Sequence, residues 1–135
     1  MLAEARRRDA AFEGRRILVV EDDVRNIFAL SSVLEPLGGS VLIARNGREA
    51  LNRLGAKPLP DIVLMDIMMP EMDGFEAMQL IRKNPELRDL PIIALTAKAM
   101  PDDQQRCLAA GANDYITKPI DIDKLVSLIR IWMPK

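Results

Sequence analysis

The sequence predicts an α/β fold in which helices cover both faces of a parallel β-sheet. Short apolar runs, each long enough for a buried strand, recur along the chain from residue 17 onward. Segments whose apolar residues are spaced three or four apart, as on one face of a helix, lie between these runs. Alternation of strands and helices is typical of a parallel sheet, because neighbouring parallel strands need a crossover connection.

Five runs are predicted to be strands. The first four are apolar throughout, which indicates strands that are buried on both faces of the sheet. The fifth is more polar and is predicted to be an edge strand. In chain order the runs are residues 17–20, 41–44, 62–65, 92–95 and 114–117.

Five segments are predicted to be helices. The first should end at the glycine pair of residues 38–39, and the fourth should run from about residue 101 to residue 110, before Gly111. Asp23 and Asp121 are plausible N-caps of the first and fifth helices. Four of the helices have a clear apolar face. In the first it comprises Ile27, Leu30, Leu34 and Leu37, and in the second Ala50, Leu51 and Leu54; in the third it comprises Gly74, Ala77, Met78 and Ile81, and in the fifth Leu125, Leu128, Ile129 and Trp132.

This count of elements in 135 residues suits one domain with the flavodoxin-like strand order 2-1-3-4-5 and right-handed crossovers. We expect this domain to span residues 15–135. Residues 1–14 are rich in Ala, Arg and Glu and lie outside the alternation, so they are predicted to be a linker or a frayed helix.

Composition excludes several functions. The chain has no histidine, which rules out Ser-His-Asp and Cys-His catalysis and any histidine metal site within it. With 19 basic and 20 acidic residues, its charge gives no reason to expect nucleic-acid binding. It has neither a membrane-length apolar run nor a signal peptide, so we expect no membrane insertion. Its single cysteine, Cys107, cannot form an internal disulfide and is expected to pack within a helix. A reducing compartment, the cytoplasm, fits.

Polar side chains follow four of the five strands. Because the carboxyl ends of parallel strands meet at one edge of the sheet, these side chains should lie close together. We expect Asp66 to stand at the rim, in the centre of an acidic cluster, rather than inside the sheet. The second strand ends in Ala44-Arg45 and adds no obvious group. The polar residues are Glu21, Asp22 and Asp23 after the first strand, Asp66 after the third, Thr96 after the fourth and Lys118 after the fifth.

This set of side chains predicts phosphoryl chemistry. Clustered carboxylates repel one another, so they need a cation or raised pKa values. Oxygen ligands without histidine suit Mg²⁺, Mn²⁺ or Ca²⁺. Lys118 would repel a cation bound alone, which indicates that an anion binds as well. Metal, lysine and the Thr96 hydroxyl together describe a phosphoryl site, in which Asp66 can act as the nucleophile and become an acyl phosphate.

Four motifs resemble the receiver domain of bacterial two-component response regulators. They occur in the expected order and spacing, and the resemblance covers roughly residues 16–132. The motifs are ILVVEDD, DIVLMDIMMPEMDG, IIALTAKA and AGANDYITKPI.

The resemblance implies a role for each residue of the acidic edge. Asp66 would be the phosphoacceptor, and Lys118 would pair with the phosphoryl group. Glu21 and Asp22 would be the acidic pair that organises Mg²⁺, Asp22 directly and Glu21 largely through water. The backbone carbonyl of Met68 would be a further metal ligand.

The resemblance also implies a set of switch residues. Thr96 would be the hydroxyl that moves to the phosphoryl group, and Tyr115 the aromatic residue whose rotamer follows it. Ala97 matches the small residue beside this switch, and Gly74 the turn glycine before the third helix. The peptide bond before Pro119 matches one that is usually cis in the family.

Two positions depart from the commonest members of the family, Met68 and Lys98. In the family these positions tune how fast water removes the phosphoryl group, and we expect bulky Met68 to slow that reaction. Met68 is also among five methionines whose side chains are expected to be packing residues rather than copper ligands. The other four are Met65, Met69, Met72 and Met78.

The function implied is a phosphorylation-dependent switch. A histidine kinase or histidine phosphotransfer protein would donate the phosphoryl group from phosphohistidine to Asp66, with Mg²⁺ as cofactor. The change would be read at the face of the fourth helix, fifth strand and fifth helix, where a downstream protein could bind. Such a domain catalyses its own phosphorylation and slow dephosphorylation, but it turns over no metabolite and is not an enzyme in the usual sense.

The wording of VRNIFAL, MDIMMPEMDG, ALTAKAM and DYITKPID is closest to receivers of hybrid sensor histidine kinases. The chain would then be part of a kinase, on the cytoplasmic side of the membrane. A stand-alone single-domain response regulator or a phosphorelay intermediate is the alternative. A docking module that acts without phosphorylation is a further one.

Two other classes fit the sequence less well. A haloacid-dehalogenase-type phosphatase places a second aspartate two residues after the first, as a general acid, and Met68 stands there. A nucleotide-binding domain needs a glycine-rich loop after the first strand, where this chain has acids.

Overall fold

The computed structural model describes residues 12–68, 74–96 and 101–133, without the side chains of residues 101–103. Its centre is one parallel sheet in the order β2-β1-β3-β4-β5, which confirms the predicted fold class and strand order. The strands are β1 (Arg16–Val20), β2 (Ser40–Ala44), β3 (Ile62–Asp66), β4 (Ile92–Thr96) and β5 (Asp114–Thr117).

Five helices and one short 3₁₀ turn, Pro85–Leu87, connect the strands. Both predicted N-caps are confirmed: Asp23 accepts the Arg25 backbone N–H at 2.9 Å, and Asp121 accepts that of Lys124 at 3.2 Å. The helices are α1 (Val24–Leu34), α2 (Gly47–Leu54), α3 (Gly74–Lys83), α4 (Pro101–Ala110) and α5 (Ile122–Trp132).

The sheet separates two apolar cores. Alternate residues of the strands point to opposite faces. In the first core, Leu18 packs with residues of α2, α3 and α4. In the second core, Ile17 and Val19 pack with residues of α1 and α5. All five residues of β3 and of β4 are buried, which the sequence predicted for the apolar residues 62–65 and 92–95. Cys107 lies fully buried in the first core, which confirms its predicted packing role.

The second core also includes Phe12, a residue of the segment 1–14 that was predicted to be a linker or a frayed helix. Phe12 is 1% exposed, and its backbone N–H donates to the Leu37 carbonyl at 2.8 Å. Gly38 permits this approach: its φ is +92°, and a Cβ there would lie 2.8 Å from Cα of Glu13. Phe12 therefore packs on the domain, whereas Glu13 and Gly14 are exposed. The linker assignment stays a prediction for residues 1–11, which lie outside the described residues.

The methionines divide by depth. Met65 and Met78 are fully buried and pack in the first core as predicted. The packing prediction is wrong for Met68, which is 67% exposed because it lies past the end of β3, where the chain leaves the sheet. Met69 and Met72 lie outside the described residues.

Within the described part of the chain, we find no helix that has both the length and the apolar character needed to span a membrane.

Candidate functional site

Three carboxylates meet at the carboxyl edge of the sheet. Glu21 and Asp22 follow β1, and Asp66 is the last residue of β3. These strands are direct neighbours, paired through Val20 and Met65, so the residues after each strand come together. One oxygen atom from each of the three carboxylates lies within 4.8 Å of the others. The structure thus brings together three of the four acids that the sequence predicted at this edge, and the fourth, Asp23, caps α1.

Asp66 is deeper than expected. It was predicted to stand at the rim, but it is 2% exposed, and Glu21 is 1% exposed. The first turn of α3 packs closely on the end of β3, where a Cβ at Gly74 would lie 2.5 Å from the carbonyl oxygen of Asp66. Glycine at this position allows the approach. The buried carboxylate accepts the Met68 backbone N–H at Oδ1, at 3.0 Å.

Lys118 is the cation of the site. Its Nζ donates to Oε2 of Glu21 at 3.0 Å and lies 3.3 Å from Oδ2 of Asp66. Partial burial on its own would lower the pKa of Lys118, but the two carboxylates outweigh that effect and the pKa is raised. Lys118 is therefore protonated at neutral pH. The peptide bond between Lys118 and Pro119 is cis, as the resemblance implied.

Glu21 is the acid whose pKa this arrangement raises. Burial and the neighbouring Asp66 raise the pKa of Glu21, while Lys118 and the Asp23 backbone N–H lower it. The Asp23 N–H donates to Oε1 of Glu21 at 3.2 Å. The balance of these effects leaves the pKa of Glu21 raised, with burial as the largest cause.

The donor set fits a hard divalent cation. All candidate ligands are carboxylate oxygens, the kind that Mg²⁺ and Mn²⁺ prefer. Asp22 is only partly buried, so a bound ion would have access to water, and Mg²⁺ usually keeps several water ligands. The role of the Met68 carbonyl stays a prediction.

Thr96 lies close to the site but faces elsewhere. It is the last residue of β4 and fully buried, and its hydroxyl donates to the Ile116 carbonyl of β5 at 3.5 Å. The structure thus gives it a partner in the sheet rather than at Asp66. Tyr115 is partly buried and packs against the first core. Ala97 and Lys98 lie outside the described residues.

Arg45 contributes a contact that the sequence did not suggest. It follows β2, whose end was expected to add nothing, yet its Nη2 donates to the Asp22 backbone carbonyl at 3.5 Å. The predicted strand order contained the signal, because it places the end of β2 beside the end of β1.

Comparison with known proteins identifies a family for this chain. The family model of the response regulator receiver domain matches residues 17–130. The chain is 39% identical over 120 residues to the sensor histidine kinase GacS of Pseudomonas protegens, which covers 87% of this chain and 13% of that kinase. It is 35% identical over 119 residues to the polar-differentiation response regulator DivK of Brucella anthropi, covering 88% of this chain and 96% of DivK.

Solved structures of receiver domains superpose on this chain. The receiver domain of the Pseudomonas aeruginosa sensor histidine kinase PA1611, with magnesium coordinated in its active-site cleft, superposes with a TM-score of 0.81 at 37% identity, covering 88% of this chain and 97% of that one. A co-crystal structure of the Saccharomyces cerevisiae histidine phosphotransfer protein Ypd1 and the Ssk1 receiver domain matches with a TM-score of 0.83 at 32% identity, covering 90% of each chain. The present chain is a member of the response regulator receiver domain family.

Proposed function

We propose that this receiver domain accepts a phosphoryl group on Asp66 in a Mg²⁺-dependent reaction and acts as a phosphorylation-dependent signalling switch. One observation carries the proposal: the carboxylates of Glu21, Asp22 and Asp66 converge within 4.8 Å, and Nζ of Lys118 lies 3.3 Å from Asp66. An acidic cluster alone would serve a cation. The added ammonium group suits a site that also receives an anion.

In the proposed transfer, a carboxylate oxygen of Asp66 forms a bond to phosphorus while the bond from phosphorus to the donor's imidazole nitrogen breaks. The product is an acyl phosphate. Lys118 lies where it can stabilise the negative charge on the phosphoryl oxygens during transfer. Glu21 and Asp22 would hold Mg²⁺, which supplies further charge neutralisation when bound.

The donor must lie outside these 135 residues, which contain no histidine. We propose a histidine kinase or a histidine phosphotransfer protein, and the similarity to a receiver crystallised with Ypd1 supports this. Val24 and Phe28, on α1 directly after the acidic pair, are 62% and 73% exposed. Lying four residues apart on one helix face, they offer an apolar contact beside Asp66 for such a donor.

The readout of phosphorylation is proposed to run through Thr96. A phosphoryl group on Asp66 adds negative charge and new acceptor oxygens, which compete with the Ile116 carbonyl for the Thr96 hydroxyl. Because Ile116 belongs to β5, a change in that contact bears on the surface of α4, β5 and α5. We propose that a downstream protein binds this surface, and Tyr115 of β5 would change rotamer with Thr96.

The larger context is proposed to be a hybrid sensor histidine kinase in the cytoplasm or at its membrane. The similarity to GacS, of which this chain spans 13%, supports that context. The similarity to DivK, matched over 96% of its length, supports a stand-alone regulator or phosphorelay intermediate instead. The length of the complete open reading frame separates the two, since a kinase adds several hundred residues.

The test is the intact mass of the protein after incubation with acetyl phosphate and Mg²⁺. We expect the wild type to gain the mass of one phosphoryl group, and expect EDTA added beforehand to abolish the gain. Asp66→Asn should gain nothing. Asp89→Asn is the matched control, because it removes an equivalent but exposed carboxylate far from the cluster, and it should behave as wild type.

Two outcomes would contradict the proposal. Phosphorylation of Asp66→Asn to the wild-type extent would show that another residue is the acceptor. If the wild type gained no mass from acetyl phosphate or from a panel of phosphorylated phosphotransfer proteins, the chain would be a docking module that acts without phosphorylation.

A further inference from the structure

A cavity lies near the amino-terminal end of β1, whereas Asp66 lies at the carboxyl-terminal end of β3. It has a volume of about 310 Å³ and opens beside the first residue of β1, the helix α2 and the loop of residues 56–60 that precedes β3. Leu18, Leu42, Pro58 and Pro60 form its apolar wall. The carboxylates of the proposed phosphoacceptor site follow the other ends of these strands, so the two sites are separate.

Arg16 brings an unsatisfied donor to this cavity. Its Nε atom is buried and has no hydrogen-bond partner among the residues that the structure describes. The nearby carboxylate of Asp61 is already engaged, since its Oδ2 accepts the Arg16 backbone N–H at 2.7 Å. A buried donor without an acceptor is unfavourable, so the guanidinium is incompletely satisfied within the protein. Because Nε itself is closed to a ligand, the rest of the Arg16 side chain, which lines the cavity, is the part that a ligand would contact.

The remaining charged groups make the cavity a favourable place for an anion. Arg53 and Lys57 also line it, and Glu49 is the acid in the lining. The Glu49 carboxylate accepts the Arg45 backbone N–H at 3.2 Å and Nδ2 of Asn46 at 3.4 Å, so it is held at the start of α2. Lys57 contacts Glu86 only at 3.7 Å, with both side chains about 70% exposed. That ion pair is weak competition for a ligand.

We propose that this cavity binds a small organic anion, in which a carboxylate or phosphate group is joined to a compact apolar body. The anionic group would accept hydrogen bonds from the guanidinium of Arg16, a planar group suited to two parallel bonds with such oxygens. The apolar body would contact Leu18, Leu42 and the two prolines. The volume matches the lower end of small-molecule sites, about 300 Å³, which is enough for a ligand built on one ring.

The test is a set of NMR titrations of the full chain without Mg²⁺, using benzoate, phenyl phosphate and the neutral analogue benzyl alcohol. We expect saturable shifts of the backbone amides of Arg16, Leu42, Arg53 and Lys57 with at least one of the two anions. The better of the two identifies the anionic group. Benzyl alcohol should bind about tenfold more weakly or worse, since it lacks the charge-assisted hydrogen bonds. Shifts at Lys118 would report binding at the other edge and are fitted separately.

Variants assign the binding to the cavity. Arg16→Gln and Arg53→Gln should each weaken anion binding several-fold, Arg16→Gln by about tenfold. Arg48→Gln is the matched control, since Arg48 is an exposed arginine of α2 that does not line the cavity, and its affinity should be that of wild type. Thermal unfolding would reveal whether Arg16→Gln folds. If it does not, the affinity of Arg53→Gln for the anions decides whether they bind in the cavity.

The proposal is overturned if benzyl alcohol binds as tightly as the anions, because the site would then be merely apolar. It is equally overturned if the folded arginine variants keep wild-type affinity, or if neither anion gives saturable shifts at these amides. Loss of phosphorylation at Asp66 would have no bearing on any of these results.

Discussion

The ammonium group of Lys118 bridges two buried carboxylates, with Nζ 3.0 Å from Oε2 of Glu21 and 3.3 Å from Oδ2 of Asp66. The residues come from the ends of three different strands, β1, β3 and β5. Lys118 is thus the group that makes burial of both acids tolerable when no metal is bound. It also lies where it can stabilise the phosphoryl oxygens in the proposed transfer.

Replacing Lys118 with methionine should destabilise the metal-free protein. The change leaves Glu21 and Asp66 buried without their cation. We expect a loss of about 1–3 kcal/mol, below the roughly 3–5 kcal/mol for breaking a fully buried ion pair, because solvent reaches part of the lysine side chain. Urea unfolding with and without Mg²⁺ measures this, and the ion should restore part of the loss.

The control for this variant is Lys124→Met, which removes an exposed lysine in the first turn of α5. It should unfold at nearly the wild-type urea concentration. A Lys118→Met protein as stable as Lys124→Met without Mg²⁺ would show that the carboxylates tolerate each other unaided. In the phosphorylation assay, Lys118→Met should lose most of its activity even when Mg²⁺ saturates the site.

The pH dependence of stability should follow from Glu21. Its pKa is raised above the ordinary 4.5 by burial and by the neighbouring Asp66. A raised pKa means that the folded state favours protonated Glu21. Its contribution to stability is therefore complete below the unfolded-state pKa and is lost as the pH rises through the folded-state pKa. We expect the metal-free protein to lose stability as the pH rises above the unfolded-state pKa of Glu21, as measured by urea unfolding at a series of pH values.

Glu21→Gln should flatten this pH profile, because glutamine imitates the protonated acid and does not titrate. Saturating Mg²⁺ should flatten the wild-type profile too, since the ion favours the ionised carboxylates. An unchanged slope in Glu21→Gln would assign the pH dependence to another group.

Most of the fold could be predicted from the sequence, because apolar periodicity directly reflects which faces are buried. Three of the four fully apolar runs became the interior strands β1, β3 and β4, and the more polar residues 114–117 became the edge strand β5. The prediction of burial on both faces was wrong for residues 41–44, because they form the other edge strand, β2, in which only Ala44 is fully buried. Phe12 was missed because a single aromatic residue in a charged segment has no periodicity. Its burial depends on a turn at Gly38 that brings the end of α1 over it.

The membership of the site was predictable, but not its depth or its hydrogen bonds. Strand ends in a parallel sheet meet at one edge, which sufficed to bring Glu21, Asp22, Asp66 and Lys118 together. The burial of Asp66 depends on how closely α3 packs at Gly74, which is a property of tertiary structure. The rotamer of Thr96 depends on whichever acceptor is nearest, so residue type alone does not determine it.

Arg82 should be a major contributor to stability away from the site. Its Nε donates to the Gly111 carbonyl at 2.9 Å, Nη1 to the Leu87 carbonyl at 2.8 Å and Nη2 to Oδ1 of Asn113 at 2.9 Å. Arg82→Met removes all three bonds of a partly buried guanidinium, for an expected loss of about 2–4 kcal/mol. Exposed Arg88→Met is the matched control and should cost less than about 0.5 kcal/mol. Equal urea midpoints for the two variants would rule out this role.

Trp132 should report on the junction of α5 and β5. Its Nε1 donates to Oδ2 of Asp114 at 3.0 Å, and Oδ1 of the same carboxylate accepts the Tyr115 backbone N–H at 2.8 Å. Asp114→Ala should destabilise the protein by about 1–2 kcal/mol and shift tryptophan emission to longer wavelength as the indole gains contact with water. A double-mutant cycle with Trp132→Phe isolates the pair. A coupling energy near zero would show that the hydrogen bond contributes nothing.

Met68 should control how long the phosphoryl group stays on Asp66. Its backbone N–H donates to the Asp66 carboxylate, and its side chain is 67% exposed. We expect this bulky apolar side chain to hinder the approach of water to the acyl phosphate. We expect Met68→Asn to hydrolyse its acyl phosphate several-fold faster, because a smaller polar side chain admits and orients the attacking water. Met68→Leu, similar in bulk, should keep the wild-type rate. The decay of the phosphorylated mass after removal of acetyl phosphate gives each rate, and slower decay in Met68→Asn would refute this role.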